Sequence, residues 1–468
     1  MRTTTSRIPP NTSPRRPAAA GAGAPTLDLD RLRSGFDFPL TGRIVTNNAA
    51  TTQPPRALLA EYRRLGLDYE NVHRGQSASS RRTTERFEAS YDTIAGWLNA
   101  PSRRSIAVYR GTTEAINAVM YTLMTEFADG DNVVTTMLEH NSNYVPWYGL
   151  CREILPRFGR QVGCRIARFD RETGRLDLAH LASLVDERTK LVCVTGASNF
   201  LGDKPDLAAV RRIADASGYP RRTGGTGSLL LVDGAQLVPS SPIDVQALDV
   251  DYLAFSFHKL FAPFGVGVLY AKEQLLTSAL PFLYGGDMIA EGQVHPDRVV
   301  YNDLPWKYAA GTPNILGTII AADALRLLVD LVGVAGSSAR FGCLEPVPRS
   351  AVTATMTAIG VHTKALTEQA LAGLSEIDGL TVFGPQSATR RSPLVSFTVH
   401  RIDPYTLAED LARRGVEARA GCHCATLAHH DLALDPPASC RLSFAAYTSP
   451  GEVDAAVGAV RAVVRERR

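Results

Sequence analysis

Ser256-Phe257-His258-Lys259 closes the apolar run Tyr252–Ser256 with an amine. A lysine just beyond a buried strand is costly unless its charge is used or lost, and lysines that form Schiff bases with carbonyl compounds exploit that cost. A surface lysine following a strand accounts for the same residue. Upstream, the run Leu229–Val232 ends in Asp233-Gly234-Ala235-Gln236. A carboxylate at the end of a parallel strand sits where α/β sheets bind ligands, and against a pyridine nitrogen it keeps that nitrogen protonated and the ring electron-withdrawing. A helix N-cap aspartate is the alternative. The third group is Arg110-Gly111-Thr112-Thr113-Glu114. Between a strand and a helix, such small hydroxylated residues present backbone N–H groups to a phosphate. A plain helix cap with Glu114 as a first-turn acid is again possible. The order and spacing of the three groups carry more than any one of them.

The elements that must position these groups alternate regularly. Strands are expected at Ser105–Tyr109, Asn132–Met137, Cys164–Phe169, Lys190–Thr195, Leu229–Val232, Tyr252–Ser256 and Val266–Tyr270. Helices are expected at Thr112–Glu126, Asn143–Phe158, Leu176–Leu184 and Leu207–Ser217. Strands separated by helices of this length build a mostly parallel sheet covered on both faces. Residues 27–330 therefore read as an N-terminal segment plus a large α/β domain. Residues 331–468 read as a smaller α+β domain. It opens with a Gly-, Ser- and Pro-bearing insertion at Val332–Ser350, followed by a helix at Thr353–Leu374 and strands near Leu380–Phe383 and Leu394–Val399. A helix at Tyr405–Arg414, strands near Val416–Arg419 and Arg441–Phe444, and a closing helix at Ser449–Val464 complete it. Tyr219–Gly227 reads as a loop carrying a local insertion. Residues 1–26, rich in Pro, Ser, Thr, Arg, Gly and Ala, loosely resemble a transit peptide and read more economically as a disordered tail.

Composition excludes several classes. The 468 residues are 45% hydrophobic and 21% charged, ordinary for a globular chain and incompatible with wholesale disorder. With 50 Lys+Arg against 47 Asp+Glu, a net charge of +3 gives no reason to expect a nucleic-acid or membrane-surface partner. No uninterrupted apolar run approaches the roughly 20 residues that cross a bilayer. Seven cysteines are too few, and odd in number, for a disulfide framework; they suit a reducing, cytoplasmic setting.

The motifs together resemble the fold-type-I pyridoxal-phosphate enzymes of the class V aminotransferase group, and most closely the cysteine desulfurase/selenocysteine lyase branch. The resemblance runs from about Val45 to the C-terminus. It rests on Asn47–Thr52, Val72–Gly75, Arg110–Asn117, Glu139-His140, Val145–Trp147, Ser198–Gly202, Val232–Gln236, Ser256–Leu260, Gly285-Gly286, Ala310–Asn314, Arg419–Ala425 and Cys440-Arg441. It implies pyridoxal 5′-phosphate held by Lys259 as a Schiff base, Lys259 then moving protons on an amino-acid substrate. Asp233 would pair with the pyridinium, Gln236 and Asn199 would lie by the phenolic oxygen, and His140 would stack on the ring. Thr113, Ser256 and His258 would bind the phosphate, with Thr112 beside them. Thr312 would reach the phosphate of a partner subunit, which implies a homodimer with shared sites. Arg419 would clamp the substrate carboxylate bidentately, with Arg441 and Asn47 in the same pocket.

In Arg419-Ala420-Gly421-Cys422-His423-Cys424-Ala425, Cys424 falls where this branch carries its sulfur nucleophile. The resemblance thus implies conversion of L-cysteine or selenocysteine to alanine, with sulfur left on Cys424 as a persulfide for an acceptor protein. His423, with Arg419 and Arg441, would lower the thiol's pKa. The alternative is a specialised biosynthetic enzyme of the same fold, a C–S β-lyase, aminotransferase or epimerase, in which Cys424 is not the nucleophile. A metal site from Cys422, Cys424, His423, His429, His430 and Cys440 lacks the usual Cys-x₂-Cys spacing, so no metal is expected. Phe257, Phe264, Cys422 and Asp287 depart from the branch's usual residues, and a ring at Phe257 beside the cofactor would reshape the pocket.

Overall fold

The computed structural model describes residues 26–334 and 341–468. Apart from Thr26, the expected tail lies outside the described residues, as do residues 335–340 of the insertion expected over 332–350. Seven apolar runs form one sheet: β1 (Ile106–Tyr109), β2 (Asn132–Thr136), β3 (Gly163–Ala167), β4 (Thr189–Thr195), β5 (Leu229–Asp233), β6 (Tyr252–Ser256) and β7 (Gly267–Ala271). Their spatial order is β1-β7-β6-β5-β4-β2-β3. Every pair from β6 through to β3 is parallel, whereas β7 runs antiparallel to both its neighbours. The seven expected strands all appear, each within two residues of its expected ends.

Period-two alternation gives this sheet two apolar faces. Leu230, Val232, Leu253 and Phe255 enter one buried cluster, while Leu229, Leu231, Tyr252 and Ala254 enter another on the opposite side. Helices α1 (Ala78–Leu98) and α2 (Thr112–Met124) precede and follow β1. The helix expected over Asn143–Phe158 is instead broken into a 3₁₀ turn, a short α-helix at Val145–Gly149, a π-helical turn at Leu150–Ile154 and a second 3₁₀ turn. Pro156 explains the break: it has no N–H to give the carbonyl four residues back, so the α-helical ladder cannot continue.

A second sheet of four antiparallel strands, β8 (Leu380–Phe383), β9 (Leu394–Val399), β10 (Arg419–Gly421) and β11 (Ser439–Ser443), has the order β8-β9-β11-β10. Helices α3 (Arg349–Ser375) and α4 (Pro450–Glu466) pack on each other beside it. Ser449 and Glu452 form a reciprocal capping box at the start of α4. The N-terminal segment reaches this sheet through Asn47, which bridges to Ser443 of β11, while Ile44–Val45 pairs with Val416–Glu417 in a separate two-stranded sheet. No described helix is long and apolar enough to cross a membrane.

Candidate active site

β4, β5 and β6 end in Thr195, Asp233 and Ser256, and all three line one cavity of about 250 Å³. α2 brings the N-terminal residues Thr112 and Thr113 to the same space, and the small sheet supplies Arg419 and Arg441. Of the residues singled out in the sequence, Thr112, Thr113, His140, Asn199, Asp233, Gln236, Ser256, His258, Lys259, Arg419 and Arg441 line the cavity. Asn47, Thr312 and Cys424 do not.

Half-buried Lys259 and buried Asp233 are the opposed charges of this cavity. Burial drops the Lys259 ammonium to about 8, against the raising effect of the Asp233 carboxylate and with further lowering by Arg441 and Arg419. Burial likewise raises the Asp233 carboxyl, opposed by the N–H of Ala235 and by Lys259. A cofactor aldehyde is attacked by the free amine only. We therefore expect the rate at which apoprotein takes up cofactor, followed by absorbance, to rise through about pH 8 as Lys259 loses its proton. A midpoint at the ordinary lysine value near 10.4 would show the amine to be unperturbed.

The wall around this pair is built of hydroxyls and neutral imidazoles. Ser256 Oγ accepts from the Thr112 N–H at 2.7 Å and lies 2.6 Å from Thr112 Oγ1. The N-cap residue of α2, Gly111, has no side chain to cap the helix, and beside the Ser256 hydroxyl the positive end of α2 opens on the cavity. The backbone is tight here: a Cβ on Gly267 would fall 2.3 Å from Gly111 Cα, which keeps β7 close beneath the turn. His140 accepts the Ser142 N–H on Nδ1 at 3.0 Å, and burial, then Lys259, Arg419 and Arg441, lower it to about 4. Burial and Lys259 also hold His258 near 4. Gln236 Nε2 donates to Ala49 O at 2.7 Å.

Strand register pairs Arg419 directly with Arg441 across β10 and β11. Two like charges facing each other are unfavourable without an anion between them. Arg441 is 1% exposed, lowered to about 9 by burial and then by Arg419, and its Nε and Nη2 have no partner among the described residues. Its Nη1 donates to Asn199 O at 2.7 Å, and Asn199 Oδ1 is likewise buried and unpartnered among the described residues. The orphaned guanidinium nitrogens suit a carboxylate, and the orphaned amide oxygen awaits a donor.

Cys424 sits in a strained stretch of backbone. His423 and Cys424 both have left-handed backbone, φ 52° and 55°. Such non-glycine conformations cost on the order of 1–3 kcal/mol each and persist only where surroundings impose them. Here Asn199 Nδ2 donates to His423 O at 2.6 Å, and the Asn141 N–H donates to Cys424 O at 2.6 Å. The half-buried thiol is near enough that its charge would raise the pKa of both Lys259 and Arg441.

The sequence profile of the family described as Aminotransferase class-V matches residues 44–341 and 350–456. The chain belongs to the class-V aminotransferase family. Among its relatives in that family, a cysteine desulfurase of Dickeya dadantii is 35% identical over 446 residues, 93% of this chain and 97% of the relative. One of Haloferax volcanii is 34% identical over 462 residues, 93% of this chain and 97% of the relative. A crystal structure of a cysteine desulfurase from Escherichia coli matches with TM-score 0.78 at 30% identity, covering 94% of this chain and 99% of that one. The apo structure of a cysteine desulfurase from Thermococcus onnurineus matches with TM-score 0.80 at 28% identity, covering 94% and 98%.

This class-V site corrects two expectations. Phe257 does not reach the cavity: it is fully buried and packs on Phe255, ring centroids 5.3 Å apart. Strand alternation turns Ser256 to the ligand and Phe257 to the core. Nor is His423 a cation that acidifies Cys424. Burial, then Arg441, His429 and Arg419, hold it well below the ordinary histidine value, so it is neutral. Phe264 stacks on Tyr62 with centroids 4.6 Å apart, and Asp287 pairs with Arg74 at 3.0 Å. Thr312 is exposed, outside the cavity of its own chain.

Ala49 and Ala50 of the Asn47–Thr52 motif line the space too, as do residues the sequence did not single out, Ser142, Thr195 and Ala197. Glu139 stands behind them, buried and raised to about 8 by burial, accepting from Thr136 Oγ1, Asn143 Nδ2 and the Thr195 N–H. Among the described residues no three His, Cys, Asp or Glu side chains cluster as a metal site. The donor set fits pyridoxal 5′-phosphate: an amine for the aldehyde, a buried carboxylate for the ring nitrogen, and hydroxyls at a helix N-terminus for the phosphate.

Proposed function

We propose that the chain is a cysteine desulfurase, converting L-cysteine, or selenocysteine, to alanine with the sulfur carried on Cys424 as a persulfide. The carrying observation is the convergence, in one cavity, of Lys259, Asp233 and the opposed pair Arg419 and Arg441, beneath a loop that holds Cys424. The chain is a pyridoxal-phosphate enzyme of the class-V family, and the named relatives above are cysteine desulfurases. When bound, the cofactor draws electrons from the substrate's α- and β-carbons.

Each residue then has a task. Lys259 Nζ holds the cofactor covalently and afterwards carries protons to and from substrate carbon. Asp233 keeps the ring nitrogen protonated. Gln236 and Asn199 contact the ring oxygen, and His140 covers the ring face. Thr112, Thr113, Ser256 and His258 hold the phosphate, while Arg419, Arg441 and Asn47 orient the substrate carboxylate. Cys424 Sγ takes the sulfur. The exposed position of Thr312 suits a homodimer in which it reaches the partner's phosphate site. The stored sulfur requires an acceptor, which we take to be a protein, and the seven free thiols suit a cytoplasmic setting.

A C–S lyase, aminotransferase or epimerase reading, with Cys424 idle, is favoured by one observation only: Cys424 is absent from the cavity wall. Incubation with L-cysteine and a dithiol reductant separates the two. Alanine and sulfide are expected in equal amounts with no pyruvate. Pyruvate as the main product would move the chain to β-elimination.

A further inference from the structure

His423 lines the cavity at 2% exposure, yet no role above uses its ring. Its Nε2 lies 3.0 Å from Ser439 Oγ, and His429 Nε2 lies 3.1 Å from the same oxygen. His429 Nδ1 lies 3.0 Å from Ala425 O. A carbonyl only accepts, so His429 Nδ1 carries a hydrogen. His429 is fully buried beneath Phe200, ring centroids 3.7 Å apart, and burial lowers it to about 4. Being neutral, it has no second hydrogen, so its Nε2 accepts the Ser439 hydroxyl hydrogen. Ser439 Oγ in turn accepts from His423 Nε2–H. His423 is neutral as well, through burial and the cations Arg441 and Arg419. Its Nδ1 is left as a bare lone pair, buried and without a partner among the described residues.

A buried acceptor without a partner is costly unless a ligand completes it. On the desulfurase reading, the arginines take the substrate carboxylate and the Lys259 side of the cavity takes its amine. The one hydrogen-bond donor left on L-cysteine is its sulfhydryl. We infer that His423 Nδ1 accepts a hydrogen bond from the substrate sulfhydryl, and that Ser439 and His429 are positioning residues that fix the tautomer making this possible. The inference rests on the desulfurase reading. It assigns His423 to substrate selection, not to acidifying Cys424.

The test uses Cys424→Ala holoenzyme, in which L-cysteine binds without sulfur transfer. Dissociation constants for L-cysteine and S-methyl-L-cysteine, which has no S–H, are read from the cofactor absorbance. Adding His423→Gln or Ser439→Ala is expected to weaken L-cysteine about three- to tenfold, one hydrogen bond's worth, and to leave S-methyl-L-cysteine unchanged. Ser439→Thr keeps the hydroxyl and is expected to restore the difference. Equal weakening of both ligands, or of neither, overturns the inference. Nitrogen-15 spectra of histidine-labelled protein give an independent reading: His423 should be protonated at Nε2 with a bare Nδ1 that shifts on adding L-cysteine. A proton found on Nδ1 overturns the inference by itself. Failure of the desulfurase reading shows differently, as absence of alanine from the unmodified enzyme.

Discussion

Lys259→Ala is expected to lower alanine formation from L-cysteine by at least about 10³-fold, since it removes both the covalent anchor and the group that moves protons. The effect is large because nothing nearby can substitute. Burial holds His140 and His258 near 4, so of these three cavity bases Lys259, near 8, titrates closest to neutrality. The same substitution leaves Asp233 buried without the cation that offsets its desolvation, so its carboxyl should rise further. Borohydride treatment of the unmodified holoenzyme, followed by peptide mapping, should label the peptide bearing Lys259. Label on another lysine, or activity of the alanine variant within tenfold of the parent, would remove the basis of the functional reading. The variant should still fold, because the floor is carried by β5 and β6 rather than by the lysine.

Much of this site was legible in the order of residues because its parts sit at strand ends. β5 is a run of Leu and Val that stops at Asp233, and β6 stops at Ser256. A parallel sheet puts such ends on one edge, so linear order becomes proximity without knowledge of long-range pairing. The fold class and the cofactor follow from that pattern and from the resemblance. What escaped depends on contacts distant in sequence. Arg419 faces Arg441 through a strand register set 22 residues apart in the chain. His423 is neutral because folding buries it among Arg441, His429 and Arg419. Sequence proximity to Cys424 suggested the opposite charge. Phe257 enters the core although it adjoins Lys259, because adjacency does not set the face a strand-end residue takes. The broken helix at 143–158 was within reach: Pro156 was visible, and a continuous helical pattern should have yielded to it.

Cys424→Ala is expected to reduce sulfide release from L-cysteine to below about 1% of the parent, while cofactor absorbance and affinity stay unchanged. The selectivity follows from position. Cys424 lies outside the cavity wall, so its removal takes nothing from the surfaces that hold cofactor or carboxylate. It does remove the sulfur acceptor. In the proposed step, the Cys424 thiolate forms a new S–S bond with the substrate sulfur as the Cβ–S bond breaks. The bonding pair goes to Cβ, which takes a proton to become the methyl group of alanine. Without a thiolate at this place that pair has no route away from sulfur. The thiol two residues away, Cys422, accepts from Thr426 Oγ1 at 3.6 Å. Cys440 is fully buried, with a thiol that burial pushes up to about 12. Neither is poised to stand in. Cys422→Ala serves as the control, expected to retain most activity, and mass spectrometry of the parent after L-cysteine should find the added sulfur on the Cys424 peptide. Undiminished turnover in Cys424→Ala, with alanine and sulfide still equal, would mean that sulfur leaves by another path, and the chain would then be a class-V lyase with an idle thiol.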